Sequence, residues 1–472
     1  MTLNLMRYLH RKITVAAALV ALLGTTSCGF FEVDPIQDPN NPSLGSVLNN
    51  ANKAQLDALA VGVEASLRNA HTGNAPYNWV AGTLGREVTI LASTESRWYG
   101  ELQGTRNTLD DAAYYNGYYT PLAQTRRAAQ IFRESANNSQ AVNDEQKQGI
   151  AGFTHTYEAL AQFMLLNMQG SNGIRIAVND PLRPGKFVTP AEALTNIRQL
   201  LDLGASELDK GGAAFGFPLS TGFTGFNTPT TFKQFNRALA ARVALYQKDY
   251  SGALTALNGS FITRTGALTL GPKITFNPAI AGDAGNAYFQ VSNNTGSNVI
   301  AVPDNFVTEA ETGDARLSKV GRRTTPRVTG GISLQYESRL FSSNSSPLDI
   351  IRNEELILIA AEAKANTNDL PGALEDVNVI RTRSGNLAAL PAGSFSSLTK
   401  AMDEIIKQRR YSLFFEGSYF FDLRRTDRLK PVVTVDATST PRQTLAFSTT
   451  PYNLLQNMPK PAAEKAWDAT NP

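Results

Sequence analysis

The sequence predicts a mainly α protein in which paired helices carry a loop-rich, partly β insertion. Three observations lead there. Long stretches place apolar residues three and four apart, as at Tyr157, Leu160, Ala161 and Met164. A helix-turn-helix phrase recurs at an offset of 120 residues. Between its two copies, residues 258–347 are rich in Gly, Asn, Ser and Thr, with short β-prone runs and no sustained helical period.

In chain order, residues 1–27 read as an export signal. Arg7, Arg11 and Lys12 precede Ile13–Leu23, an apolar run of 11 residues. A bilayer span needs roughly 20 such residues, so the run fits a signal core rather than a transmembrane helix. Gly24-Thr25-Thr26-Ser27-Cys28 then resembles a lipobox, whose cysteine becomes the new N-terminus and carries a diacylglyceryl group. Cys28 is the chain's only cysteine, so it has no intramolecular disulfide partner. Lipidation at Cys28 is the expectation, with the Pro-, Asp- and Asn-rich stretch 28–44 as an N-terminal tether.

Removing the signal also changes the charge. Three of the 44 basic residues lie in it and none of the 41 acidic ones, so the rest of the chain has a formal net charge of zero. No basic stripe is left to argue for nucleic acid, and no polybasic cluster for anionic lipid.

Residues 45–472 read as one domain with the insertion 258–347. Helical patterns cover about 44–70, 117–135, 145–168 and 190–209. The repeat pairs AARVALYQKDYSGAL (240–254) with AAEAKANTNDLPGAL (360–374), identical at six positions. Small residues let two helices approach closely, and Asp249 and Asp369 are natural caps for each second helix. The phrase resembles a tetratricopeptide helix pair. Residues 211–230 set Phe215, Phe217, Phe223 and Phe226 among glycines, either to fill a core gap or to form an exposed platform.

Catalytic and metal-binding signals are sparse. Beyond the signal only His71 and His155 remain, in no H-x-x-x-H or Cys/His cluster, which gives a zinc or Ser-His-Asp site little support. No phosphate-cradling G-x-x-x-x-G-K occurs, and no cofactor or metal is expected. Two carboxylates suffice for glycoside hydrolysis, and the acidic residues leave that reading open although no glycosidase phrase stands out.

Several separated segments resemble the SusD/RagB family. After the lipobox comes FFEVDPIQDPNNPS. Residues 313–320 read GDARLSKV, and residues 351–385 read IRNEELILIAAEAKANTNDLPGALEDVNVIRTRSG. The most specific phrase is IIKQRRYSLFFEGSYFFDLRRTDRL (405–429), and MPKPAAEKAWDATNP closes the chain. Physically the phrase at 405–429 is mainly structural. Glu416 is placed to answer Arg409, Arg410 or both, Asp422 to pair with Arg424 or Arg425, and Gly417 to permit a turn.

The resemblance implies a mainly α, tetratricopeptide-like scaffold with a loop-rich, partly β half that holds the ligand site, a SusD-like architecture without catalysis. It further implies a surface-exposed outer-membrane lipoprotein that binds a glycan or other nutrient and meets a SusC-like TonB-dependent transporter. Sugars stack apolar faces on aromatic rings, and their hydroxyls need amide and guanidinium partners. Residues 77–107 offer both, so Trp79, Trp98, Tyr99, Arg86 and Asn107 are the expected ligand-binding residues, with the core as the alternative place for Trp98. Tyr114, Tyr115, Tyr118 and Tyr119 lead into a helix and are expected to pack its start. Two rival readings are a surface glycoside hydrolase and a tetratricopeptide-type, protein-binding assembly lipoprotein.

Overall fold

The computed structural model describes residues 44–102, 109–180, 182–429 and 455–471. The signal 1–27, Cys28, the tether up to residue 43 and Asn107 lie outside them. Two compact units divide the chain, 1–49 and 50–472. The described part of the first opens the helix α1 (Leu44–Asn50).

The second unit begins with α2 (Lys53–Asn69). The continuous helix expected over 44–70 is broken because Asn52 caps α2. Its side chain accepts from the Gln55 backbone (3.0 Å), while the Gln55 side chain accepts from the Asn52 backbone (2.9 Å). There follow α3 (Tyr77–Leu84), strand β1 (Thr89–Ala92), a single turn α4 (Arg97–Gly100), α5 (Tyr119–Asn138) and α6 (Asp144–Gln169).

Helix α6 is the axis of the scaffold. From Gly149 to Gln169 every residue is buried. It starts on a capping box, Asn143 with Gln146, and is crossed closely by α7 (Pro190–Leu208). A Cβ on Gly152 would stand 2.8 Å from the Gly204 carbonyl and 2.5 Å from Leu208, so glycine sets that approach. Between α6 and α7, β2 (Ile174–Arg175) pairs with β3 (Phe187–Val188).

Helices α8 (Pro229–Tyr246) and α9 (Tyr250–Asn258) form the first copy of the repeat. The insertion contributes β4 (Lys273–Ile274), β5 (Asn298–Val302), α10 (Asp304–Thr308), β6 (Val320–Thr329), β7 (Ile332–Ser338) and β8 (Leu348–Asp349). Then α11 (Asn353–Asn366) and α12 (Leu370–Arg383) form the second copy. Three more helices, α13 (Leu398–Ser412), α14 (Tyr419–Arg425) and α15 (Ala462–Thr470), complete the described residues.

The two copies share their turn. Asp249 and Asp369 each accept from the backbone of the glycine three residues on, at 2.9 Å in both. The preceding residues, Lys248 (φ +60°) and Asn368 (φ +68°), both take the left-handed conformation that lets the chain reverse. Ala253 and Ala373 are fully buried at equivalent places in the second helices.

The insertion is only partly regular. Its strands join β1 in an antiparallel sheet of order β1-β5-β7-β6. The phenylalanines of 211–230 fill the core: Phe217, Phe223 and Phe226 are buried, and Phe215 packs on Phe217 with centroids 4.8 Å apart. His155 meets Glu207 at 2.6 Å, and His71 meets the Tyr288 hydroxyl at 2.8 Å. Burial depresses His71 to about 3, so its ring is neutral.

Candidate functional site

The most specific sequence phrases fold into buried ion pairs. Arg409 donates to Asp422 (2.7 Å), and Asp422 also accepts from Arg425 (2.9 Å), which is bidentate on Glu362. Burial pushes the Asp422 carboxyl up, but the two guanidiniums hold it below its ordinary value. Of the two partners expected for Asp422, Arg425 is one. Arg424 instead donates to the carbonyls of Asn167 (2.7 Å) and Gln456 (2.8 Å).

Glu416 does not answer Arg409 or Arg410. Its partner is Arg352 (2.8 Å), which also pairs with Glu354 and donates to the Ser412 carbonyl (2.6 Å). Arg409 is taken by Asp422, and Arg410 by Glu309 (2.6 Å). The reason lies in the chain reversal after α13. Phe415 sits at φ +61° and Gly417 at φ +73°, which carries Glu416 away from the arginines of its own helix. The turn is held from α3 and the residues just after it. Asn78 donates to the Phe415 carbonyl (2.9 Å), and Glu87 accepts from the Phe415 amide (2.9 Å). Burial raises the Glu87 carboxyl to about 8, so it is neutral at pH 7 and its second oxygen has no partner among the described residues. In Asp314-Ala315-Arg316-Leu317, Arg316 turns back on Asp314 (2.9 Å) and reaches Gln408 (2.6 Å).

The four of the five expected ligand residues that are described are separated by depth. Trp98 keeps 2% of its surface exposed and Trp79 8%. Their rings meet edge to face at 5.6 Å, and Trp98 continues onto Tyr114 at 5.5 Å. Arg86 is buried at φ +58° and donates to the carbonyls of Thr83 (3.1 Å) and Leu84 (3.0 Å), satisfying the end of α3. Tyr99, on α4, is half-buried. Its ring lies over the β6–β7 turn, where a Cβ on Gly330 would overlap it.

Arg97 on α4 and Arg322 on β6 lie at or near the surface. Arg97 is clamped by Glu95 (3.0 and 3.1 Å) and lies 5.0 Å over the Tyr114 ring. Arg322, on the exposed side of β6, donates to Gln335 (2.9 Å). Of the four tyrosines expected to pack the start of α5, Tyr115 and Tyr118 are buried and Tyr114 and Tyr119 are half-buried. Gly330 is not among the residues expected from the sequence. Its signal is the Gly330-Gly331 pair between two β-prone runs, since both must adopt positive φ (+59° and +82°) in so tight a hairpin. Among the described residues no group of three or more His, Cys, Asp or Glu side chains is placed to hold a metal ion.

This architecture is that of the SusD-like proteins. A SusD superfamily protein from Bacteroides thetaiotaomicron VPI-5482 superposes with a TM-score of 0.64 at 17% identity, covering 87% of this chain and 97% of its own. One from Parabacteroides distasonis ATCC 8503 has a TM-score of 0.64 at 14% identity, covering 88% and 98%. A laminarin-binding SusD-like protein has a TM-score of 0.57 at 17% identity, covering 80% and 92%. Residues 288–468 match the model of the SusD family, the family that the sequence resembles. No curated protein matches the sequence.

Proposed function

We propose that the protein is a non-catalytic glycan-binding lipoprotein of the outer-membrane surface, anchored through Cys28, that passes its ligand to a SusC-like TonB-dependent transporter. The observation that carries the binding role is Tyr99, a half-buried ring held over a glycine hairpin, with the Arg97 guanidinium on the same turn of helix. A sugar stacks on such a ring and bonds such groups. A laminarin-binding protein of the same fold supports a glycan as the ligand class. Trp79 packs on Trp98 beneath α4, Arg86 closes the end of α3, and Asn107 belongs to the same chain segment.

The absence of catalysis is supported by the use of the recognisable carboxylates. Glu354, Glu362 and Asp422 are buried, Glu416 is half-buried, and all four are committed to arginines. Membrane attachment through Cys28 draws on the contribution of each buried CH₂, roughly 0.8 kcal/mol, so two or more acyl chains hold stably. The transporter as recipient follows the family resemblance, and the helical scaffold offers a rigid face for it.

Incubating the pure chain with soluble glycans, laminarin included, tests the reading. Retention of glycan without new reducing ends is the expected result. Release of shorter products assigns a hydrolase instead, and no interaction favours a protein-binding role. For the anchor, Cys28→Ala should leave the membrane fraction. Its retention there with an unchanged intact mass would overturn lipidation.

A further inference from the structure

Beside the Trp98–Tyr114 pair an open cleft of about 600 Å³ runs between the start of α5 and the C-terminal helix α15. That size lies within the range of about 300–1,000 Å³ usual for small-molecule sites. Its lining combines features that a sugar needs. Ala123, Ala462 and Pro461 keep the floor small and apolar, and the rings of Tyr114 and Tyr119 stand beside them.

The polar groups are unevenly satisfied. Asn116, nine-tenths buried, gives its amide hydrogens to the carbonyls of Asp110 (3.1 Å) and Asp111 (3.2 Å), but its Oδ1 has no partner among the described residues. The Tyr114 hydroxyl is also buried without a partner among them. Buried polar atoms in native proteins are nearly always bonded, so two orphans on the lining of one cleft mark a place where a ligand or water completes them. Among the described residues Arg127 spends a single N–H, on the Asn179 carbonyl (3.3 Å), out of the five a guanidinium carries.

The carboxylates of the cleft, by contrast, are already matched. Asp111 pairs with Lys465 (2.6 Å), and Glu464 with Arg175 (2.7 Å) and the Tyr119 hydroxyl (3.0 Å). Among the described residues lining the cleft, no unmatched acid is left to call for a cation. An uncharged ligand with apolar C–H faces and many hydroxyls fits this set.

We propose that the cleft between α5 and α15 is a second glycan subsite, which takes uncharged sugar residues of the chain captured at Tyr99 and so rests on the glycan-capture reading. The Trp79–Trp98–Tyr114 ring series connects the two places through the interior, so each is braced by the same side chains.

The test uses the full chain and a panel of uncharged glucan, mannan and galactan hexasaccharides. Ala123→Trp fills the cleft, and Arg127→Ala removes a donor should the first variant fail to fold. Thermal melting establishes which variants are native. At least a tenfold loss of affinity is expected for whichever hexasaccharide the wild type binds. A diazirine-bearing copy of that sugar should cross-link to peptides covering 111–127 or 461–464. Undiminished affinity in the folded variants, with loss in Tyr99→Ala, overturns the cleft while capture at Tyr99 stands. If the wild type binds no member of the panel, both proposals fail.

Discussion

In the set Arg352, Glu354, Glu362, Arg409, Asp422 and Arg425 the acidic and basic side chains turn inward and are mutually paired, whereas Arg97 on α4 and Arg322 on β6 lie at or near the surface and bond near neighbours. The first set comes from the most specific phrases of the sequence, and the second lies on α4 and the β6–β7 hairpin, the elements that hold the ring proposed to meet a sugar. The difference teaches that recognisable phrases here record the demands of burial. A guanidinium inside a protein must find acceptors, and here carboxylates tie Arg409, Asp422, Arg425 and Glu362 into one set. A stacking ring at the surface needs only a position and some exposure, so many sequences satisfy it.

The comparison predicts its largest effect in the paired region. Asp422→Ala leaves Arg409 and Arg425 short of a buried partner, and such a break costs roughly 3–5 kcal/mol. Urea denaturation should show that loss, whereas a change below about 1 kcal/mol would place these pairs among surface-type bridges.

An effect of similar size should appear as pH dependence at Glu87. Its folded value, about 8, stands above the ordinary 4.5, so between those values the folded state binds more protons than the unfolded one. The stability it contributes is therefore full below about pH 4.5 and is lost as pH rises through 8. Across that window the slope is about 1.4 kcal/mol for each step of one in pH. Glu87→Gln keeps an acceptor for the Phe415 amide and removes the titration. Its stability should fall less than that of the wild type between pH 5 and pH 9, and parallel curves for the two proteins would refute the account. Asp422 works in the opposite sense. Its depressed value means its contribution is present at neutral pH and is lost as pH falls through the folded value.

How much of the molecule is legible in the sequence follows the same division. The helices near 117–135, 145–168 and 190–209 are readable because apolar spacing and caps such as Thr189 act locally. The repeat is readable because Asp249 and Asp369 do the same job at the same distance from a glycine. The partner of Glu416 is not. Arg352 lies 64 residues away, and the left-handed Phe415 that turns Glu416 toward it carries no residue-type signature. Depth is equally hidden at 77–99. Trp98 and Tyr99 are adjacent and both aromatic, yet a four-residue helix sends one inward and leaves the other half-buried.

Gly330 sharpens the surface side of the comparison. Gly330→Ala places a methyl group where the Tyr99 ring lies and forces an L residue to φ +59°. The left-handed backbone costs roughly 1–2 kcal/mol, while displacement of the ring should weaken glycan binding about as much as Tyr99→Ala does. Affinity measured beside thermal stability separates the two effects. Unchanged binding would show that the hairpin does not hold the ring in place.

The most direct measurement is calorimetric titration of the wild type and Tyr99→Ala with laminarin and other soluble glycans. Removing a half-buried ring that anchors a ligand should weaken binding by roughly 1–2 kcal/mol, about 5- to 30-fold, with the melting temperature nearly unchanged. A folded Tyr99→Ala protein that binds as tightly as the wild type would contradict the placement of the site.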